Sequence, residues 1–167
     1  MRTIERHENL IEYIEYGDEF IASNASILKG NRYLALEYAA NTTLLEYINS
    51  KNGYIHENWV RYWFLQIFKG LCHIRIKEYS HLDIKCNNIL LDEQLNAKIA
   101  DFGLSHEHYP INGEKGSRFY RAPEVYKRPP QPYDGEKVDV FALAVVLFAL
   151  QMKRYPTEDV KEVTNAP

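Results

Sequence analysis

Between residues 10 and 38, β-branched and aromatic residues alternate with polar ones, as in IEYIEY at 11–16. Turn-forming residues interrupt the alternation at 17–18 and again at 29–31. Alternation with turn punctuation is typical of strands that bury one face. The segment therefore predicts β-strands that pair in an antiparallel arrangement.

Beyond residue 40, apolar positions recur at three- and four-residue steps. This period predicts a long helix over residues 57–77 and a shorter one through LLEYI at 44–48, capped by Thr42 or Thr43. The positions that this stripe assigns to the core of the long helix are Trp59, Tyr62, Trp63, Leu65, Ile67, Phe68, Leu71, Cys72 and Ile74. Residues 140–150 are apolar on every side of a helix, which predicts a helix buried inside the domain.

Two further segments complete the pattern. Residues 89–103, ILLDEQLNAKIADFG, place apolar pairs on both sides of an Asp-Glu-Gln turn and predict a β-ribbon. Residues 105–137 are rich in Gly, Pro and charge and predict a long loop with at most a short helix near 123–126. Long loops in compact domains are usually functional.

The composition fits one ordinary globular domain rather than a disordered or fibrous chain. The 167 residues carry a formal charge of −3 and are 46% apolar, which gives no electrostatic reason to expect nucleic acid or an anionic membrane as a partner. The two cysteines, Cys72 and Cys86, lack disulfide-scaffold or zinc-site spacing and favour a reducing compartment. The charged N-terminus lacks the apolar core of a signal peptide, and residues 140–150 are too few to span a bilayer. We therefore expect a cytoplasmic protein.

Three short motifs carry the candidate chemistry. They are HLDIKCNN at 81–88, DFG at 101–103, and APE at 122–124, which follows GSRFYR at 116–121. Each motif alone is weak, but their order and the step of eighteen positions from Asp83 to Asp101 resemble those of eukaryotic protein kinases. The chain is therefore similar to this family, and Lys85 together with the approach to APE resembles its Ser/Thr branch.

The resemblance implies ATP and Mg²⁺ as cofactors and a protein with a Ser or Thr acceptor as the substrate. Asp83 would accept or orient the proton of the substrate hydroxyl, and Lys85 would reach the transferring phosphate. Asn88 and Asp101 would supply oxygen ligands to Mg²⁺. For an isolated loop aspartate or lysine, the competing interpretation is a turn, a cap or a solvated surface residue.

Other residues would support this site. By resemblance, His81 packs on Phe102 and has a structural role, while Ser117 contacts the catalytic Asp and Lys. Asp139 is interpreted either as the N-cap of the apolar helix or as a residue that holds the catalytic-loop backbone. Glu124 of the APE motif would pair with an arginine in later helices that this chain lacks.

The segment LALEYA at 34–39 resembles the last N-lobe strand and the hinge of a kinase. Leu36 would then be the gatekeeper, and the backbone of Glu37 and Ala39 would contact adenine. Leu90 would form the floor under the base. For both leucines, a plain core position is the competing interpretation.

The catalytic loop departs from the family at two positions. Leu82 stands where regulated members carry an arginine that pairs with a phosphate on the activation segment. We therefore hypothesise that activity does not depend on phosphorylation sensed at this position. Cys86 replaces a common proline, a change expected to matter less.

The flanks of a complete kinase are missing from the sequence. It contains no GxGxxG motif, and the nearest imitation of the strand lysine, SILK at 26–29, lies too close to Glu37 for a helix to intervene. HENL at 7–10 resembles the turn after the glutamate-bearing helix. The predicted fold is α+β and kinase-like, truncated at both ends, with a remnant of the N-lobe sheet at 1–38 and a partial, mainly helical C-lobe at 39–167.

Two functions stay open at this point. The first is an ATP-dependent protein Ser/Thr kinase, and the second is a non-catalytic, pseudokinase-like interaction module. A small-molecule phosphotransferase is disfavoured by Lys85 and by the APE segment. We further expect the isolated chain to be marginally stable, to associate, and to bind ATP weakly at best, because the apolar helix lacks part of its packing.

Overall fold

An antiparallel ribbon opens the fold, as the alternating sequence predicts. The structure is a computed structural model and describes residues 5–21 and 27–156. Strand β1 (Tyr13–Ile21) pairs with β2 (Ile27–Leu36). Ser26 of the SILK segment, and the two ends of the predicted domains at 1–4 and 157–167, lie outside the described residues.

One face of this ribbon is apolar and exposed. The register sets Tyr13 opposite Leu36 and Tyr16 opposite Leu34. Paired residues point to the same side of a ribbon, so the four side chains share a face, and each is between 44% and 58% exposed. The ribbon therefore leaves exposed an apolar face that the alternation of apolar and polar residues predicts to be buried.

A short helix follows the ribbon. Helix α1 (Leu44–Ser50) begins after Thr43, whose side chain accepts a hydrogen bond from the Glu46 N–H at 3.2 Å. The Glu46 carboxylate in turn accepts the Thr43 N–H at 3.1 Å. This reciprocal pair is a capping box, and it confirms Thr43 as the cap.

The long predicted helix is confirmed as α2 (Glu57–Ile76), but its core stripe is only partly correct. Its buried residues are Val60, Trp63, Ile67, Gly70 and Ile74. Four of the predicted core positions, Trp59, Tyr62, Leu65 and Phe68, are instead 38–47% exposed. The predicted stripe covers more than one side of the helix, whereas within the described residues α2 packs mainly against α3 (Gly135–Met152), β5 (Ala97–Ile99) and β3 (Tyr79–Ser80).

Trp63 is expected to carry much of the packing energy of α2. Its side chain is fully buried and its Nε1–H donates to the Leu95 carbonyl at 2.8 Å. Trp63→Ala should lower the free energy of unfolding by about 3–5 kcal/mol, measured by urea unfolding with circular dichroism. The matched variant Trp59→Ala removes the same side chain from an exposed position and should cost less than half as much. Equal losses would show that the exposed stripe is packed after all.

Short strands frame the middle of the chain. Strand β4 (Ile89–Leu91) pairs antiparallel with β5, which confirms the predicted second ribbon. Strand β3 (Tyr79–Ser80) pairs antiparallel with β6 (His106–Glu107). The main core lies between these strands and the helices, and its fully buried members include Leu44, Trp63, Ile67, Ile84, Ile89, Leu91, Ile99, Val146 and Leu150.

The last helix differs from its prediction in two respects. It begins at Gly135 and is capped by Asp134, whose side chain accepts the Glu136 N–H at 3.0 Å. The N-cap interpretation of Asp139 is therefore wrong. The helix is also not buried on every side, because Val140 is 57% exposed and Ala144 is exposed as well.

The predicted long loop contains the expected 3-10 helix at Pro123–Tyr126 and a second one at Arg118–Tyr120. Across the part of the chain that the structure describes, no helix is long and apolar enough to cross a membrane. The expectation that the chain associates through its exposed apolar faces stays a prediction.

Candidate active site

A buried histidine organises the catalytic loop, residues 81–88. Because a carbonyl can only accept, the His81 Nε2–H donates to the Ala100 oxygen at 2.9 Å, and Nδ1 accepts the Asp83 N–H at 3.2 Å. The ring lies edge-on to Phe102 with centroids 4.9 Å apart. Burial lowers the pKa of His81, so the ring stays neutral and structural, in the place that the sequence predicts.

Asp139 reaches across from α3 to hold the same loop. Its Oδ2 accepts the His81 N–H at 2.6 Å, and its Oδ1 accepts the Leu82 N–H at 2.8 Å. Burial raises the pKa of Asp139 to about 7, although the two N–H donors oppose this effect. Leu82 has a positive φ of 65°, which is unfavourable for a branched side chain. The carboxylate therefore stabilises an otherwise disfavoured backbone.

Asp83 lies at the centre of a hydrogen-bonded group. Its Oδ2 lies 2.6 Å from Lys85 Nζ and 3.1 Å from Asn88 Nδ2. Its Oδ1 accepts the Ser117 N–H at 2.9 Å and the Ser117 hydroxyl at 2.8 Å, and Lys85 Nζ also donates to Ser117 Oγ at 2.9 Å. Burial raises the pKa of Asp83, but the hydrogen bonds from Lys85 and Ser117 outweigh it and hold the pKa below its ordinary value. The carboxylate is thus ionised and surrounded by donors.

Ser117 reaches Asp83 through a tight approach at Gly116. Gly116 has φ +87°, and a Cβ there would lie 2.5 Å from the Leu82 carbonyl oxygen, so only glycine fits. Arg121 Nε donates to the Gly116 carbonyl at 2.7 Å, and Arg121 also forms an ion pair with Glu114 at 3.0 Å. Arg121 is absent from the predicted site, and no spacing rule marks it in the sequence.

Leu82, which by the resemblance replaces a phosphate-sensing arginine, packs in the interior. It is 2% exposed and belongs to a small apolar cluster. The other buried members of that cluster are Ile111, Ala122, Val125, Tyr133 and Val138. Apolar packing therefore joins the loop at residues 105–137 to the catalytic loop, and independence from phosphorylation stays a prediction.

The residues predicted to hold a metal have suitable chemistry. Both hydrogen bonds from Asn88 to Asp83 use Nδ2, which leaves Oδ1 available to a cation. The Ala100 N–H donates to the Asn88 carbonyl at 2.8 Å, which brings the following residue, Asp101, close to Asn88. Asp101 is exposed, and its Oδ1 accepts only the Gly103 N–H at 3.3 Å among the hydrogen bonds of the described residues. One amide and one carboxylate oxygen are ligands that fit Mg²⁺.

The predicted adenine contacts come from two parts of the chain: Leu36 ends β2, Glu37 and Ala39 follow it before α1, and Leu90 lies in β4. Leu36 is 44% exposed and Leu90 is half-buried, so neither is a plain core leucine. The Glu37 N–H donates to the Glu12 carbonyl at 2.8 Å. Among the residues that the structure covers, the Glu37 carbonyl and the Ala39 N–H make no backbone hydrogen bond, so both are available to a planar base.

Two features stand apart from this site. Glu124 is half-buried in the 3-10 helix at Pro123–Tyr126 and makes no ion pair within residues 5–21 and 27–156. A polar groove of about 780 Å³ lies between the N-terminal segment, α2 and the β4–β5 turn. Its charges are largely paired, as in Arg6 with Glu12 at 3.0 Å. Glu37, a predicted adenine contact, lines this groove, but none of the predicted catalytic residues does.

Comparison with known proteins gives a family and several relatives. The profile described as protein kinase domain matches residues 1–166. The SNF1-related protein kinase catalytic subunit alpha KIN12 of Arabidopsis thaliana is 38% identical over 130 residues, which cover 76% of this chain and 26% of that protein. The serine/threonine-protein kinase chk1 of Schizosaccharomyces pombe is 35% identical over 134 residues, covering 77% and 26%. The serine/threonine-protein kinase SAPK5 of rice is 34% identical over 167 residues, covering 96% and 41%. The chain thus spans between about a quarter and two-fifths of these relatives.

Proposed function

This chain belongs to the protein kinase domain family, Ser/Thr branch, and we propose that it transfers the γ-phosphate of ATP to a Ser or Thr hydroxyl of a protein. The kinase-like α+β fold is confirmed. The observation that carries the proposal is the Asp83 carboxylate, held by Lys85 and Ser117 beside Asn88. The division into an N-lobe remnant at 1–38 and a C-lobe at 39–167 is part of the same proposal.

Asp83 would orient the acceptor hydroxyl. Its lowered pKa keeps the carboxylate ionised, so it can accept a hydrogen bond from the substrate hydroxyl and receive its proton late, as the phosphoryl group transfers. The Ser117 hydroxyl donates to Asp83 Oδ1 and accepts from Lys85 Nζ. It therefore lies next to the place where the substrate hydroxyl would lie. Lys85 would then carry its positive charge towards the transferred phosphoryl oxygens.

The cofactors would be held by the residues that fit them. Asn88 Oδ1 and the Asp101 carboxylate would hold Mg²⁺, and the backbone of Glu37 and Ala39 would hold the adenine between Leu36 and Leu90. When bound, ATP supplies the phosphoryl group and Mg²⁺ neutralises the charge of its oxygens. Phosphoryl transfer depends mainly on such positioning and charge stabilisation.

The second candidate is a pseudokinase-like interaction module. It is favoured by apolar side chains of the ribbon and of α3 that no part of the described chain covers, since Tyr16, Leu34 and Val140 are each more than half exposed. The exposed apolar faces of the ribbon and of α3 would then serve binding instead of catalysis. Phosphate transfer distinguishes the two candidates, because only the kinase performs it.

The test is phosphate transfer from ATP with Mg²⁺ to a mixture of peptides that carry Ser, Thr or Tyr acceptors. Asp101→Asn removes a carboxylate ligand and should lower the rate by about a hundred-fold or more. Glu93→Gln makes the same chemical change at an exposed carboxylate outside the site and should leave the rate unchanged. Nucleotide binding without transfer would favour the interaction module, and a transfer rate insensitive to Asp101→Asn would refute the role given to Asp101.

A further inference from the structure

Cys86, which replaces a common proline, makes a hydrogen bond that proline could not make. The Cys86 N–H donates to the Tyr120 hydroxyl at 3.3 Å, and the bond is buried. Cys86 is fully buried and Tyr120 is 5% exposed. A buried N–H without an acceptor is unfavourable, so the Tyr120 hydroxyl satisfies a donor that exists only because residue 86 is not proline.

The backbone around Cys86 would accept proline. Cys86 is the first residue of the 3-10 helix Cys86–Asn88, a position where proline is favoured. Lys85 before it is extended, with φ −163° and ψ 159°, as a residue before proline must be. The chain therefore retains an N–H at a position that does not need one for its local conformation.

The Tyr120 ring is fixed from its other side as well. Tyr155, which follows α3, lies edge-on to Tyr120 at 5.5 Å between centroids and stacks on Phe119 at 4.8 Å. Tyr120 thus connects the catalytic loop to the chain beyond α3 and cannot rotate away without losing both contacts.

Two ties join the catalytic loop to residues 116–121. The first joins Ser117 to Asp83 and Lys85, and the second joins Tyr120 to Cys86, three positions beyond Ser117 and three beyond Asp83. One tie fixes a point, whereas two ties at equal spacing also fix how far one segment can slide along the other. The second tie therefore sets the register in which Ser117 meets Asp83.

We propose that Tyr120 is a positioning residue that uses the Cys86 N–H to hold residues 116–121 in register with the catalytic loop, and so places the acceptor-bearing peptide opposite Asp83. The functional part of this proposal rests on the proposed kinase activity, but the tie itself does not. Burial raises the pKa of the Cys86 thiol to about 11 and keeps it neutral, so the test below separates the thiol from the N–H by replacing Cys86 with alanine.

A double-mutant cycle on the full 167-residue chain tests the tie without requiring activity. Tyr120→Phe leaves the Cys86 N–H unsatisfied and should raise the unfolding equilibrium constant by about five- to a hundred-fold. In a Cys86→Pro background the N–H donor is gone. The factor by which Tyr120→Phe raises the unfolding equilibrium constant should then be at least five-fold smaller. In a Cys86→Ala background, which keeps the N–H and removes the thiol, the full effect should return. Equal effects in all three backgrounds would overturn the tie.

Two readouts then separate positioning from general stability. The Ser117 N–H donates to Asp83, and its hydrogen exchange should be faster in Tyr120→Phe than in the wild type. In a Cys86→Pro background, Tyr120→Phe should accelerate this exchange less. In phosphate-transfer assays, Tyr120→Phe should raise the peptide KM several-fold and leave the ATP KM unchanged. Unchanged Ser117 exchange would overturn the positioning role. A wild-type chain that transfers no phosphate would refute the proposed function alone, because the cycle and the exchange data decide the Tyr120 proposal independently.

Discussion

Replacing Asp83 by asparagine is expected to lower the rate of phosphate transfer by about 10²- to 10⁴-fold, the range for loss of a positioned proton acceptor. The substitution keeps the size of the side chain and removes its charge. Among the described residues, every hydrogen-bond partner of the carboxylate is a donor, from Lys85, Asn88 and Ser117. An amide at this position must turn its NH₂ group towards one set of these donors, so the geometry is lost together with the charge.

The rate of phosphate transfer to a peptide, at saturating ATP, measures this effect. Asp134→Asn is the matched control, since it changes the α3 N-cap to an equally good capping residue and should leave the rate unchanged. In the wild type, the acidic limb of the pH–rate profile assigned to Asp83 should lie below the range of an ordinary aspartate, because its pKa is lowered. A fall of less than ten-fold for Asp83→Asn would refute the role given to this carboxylate.

The second large effect is expected in stability. Asp139→Ala leaves the N–H groups of His81 and Leu82 without their acceptor, and each buried unsatisfied N–H costs about 1–3 kcal/mol. We expect the free energy of unfolding to fall by about 2–4 kcal/mol, after allowing for relief of burying a carboxylate. Leu82 also loses the hydrogen bond to Asp139 that stabilises its positive φ. The catalytic loop should therefore be the first region in which amide hydrogen exchange accelerates.

The pH dependence of this effect has a definite sign. Burial raises the pKa of Asp139 from its ordinary 3.8 to about 7. Between these values the folded state binds a proton that the unfolded state has released, so the contribution of Asp139 is fully present below about pH 4 and is lost as the pH rises through 7. The difference in unfolding free energy between wild type and Asp139→Asn should therefore be larger at pH 5 than at pH 7.5. Taking this difference cancels the opposite titration of the buried His81. A difference that shrinks on acidification would refute the assignment.

Local sequence signals predict most of the elements. The helix starting at Glu57 and the cap at Thr43 follow from period and capping chemistry, and the two ribbons follow from alternation around turns. The start of α3 at Gly135 also has a sequence signal, because Asp134 followed by Glu136 is typical of a helix N-terminus. The apolar run does not reveal this start, because the first turn of α3 is polar and the run begins only at Val140.

Burial was harder to predict than secondary structure. Trp59 and Trp63 have the same side chain one turn apart, yet only Trp63 is enclosed. Periodicity shows which residues share a side of a helix, but the neighbours that cover that side come from distant parts of the chain. The same reason explains Val140, which continues an apolar run and is exposed.

The candidate site shows the same limit. The motif spacing predicted the group around Asp83, but sequence spacing does not reveal Arg121 or Tyr120, which act through backbone groups. The one available signal was Cys86, because a residue other than proline adds an N–H that a buried loop must satisfy. We expected this replacement to matter less than the one at Leu82, and the hydrogen bond from the Cys86 N–H to Tyr120 shows that it has a structural consequence.

The buried His81 ring offers a spectroscopic marker of correct assembly. Its Nε2 proton is shared with the Ala100 carbonyl and its Nδ1 accepts the Asp83 N–H, so neither nitrogen is open to exchange with water. Such a proton gives a slowly exchanging imidazole resonance, whose nitrogen shifts report the Nε2–H tautomer. The resonance requires the catalytic loop and the strand before Asp101 to be in place together. One NMR signal can therefore report that the site has formed, before any substrate or nucleotide is known.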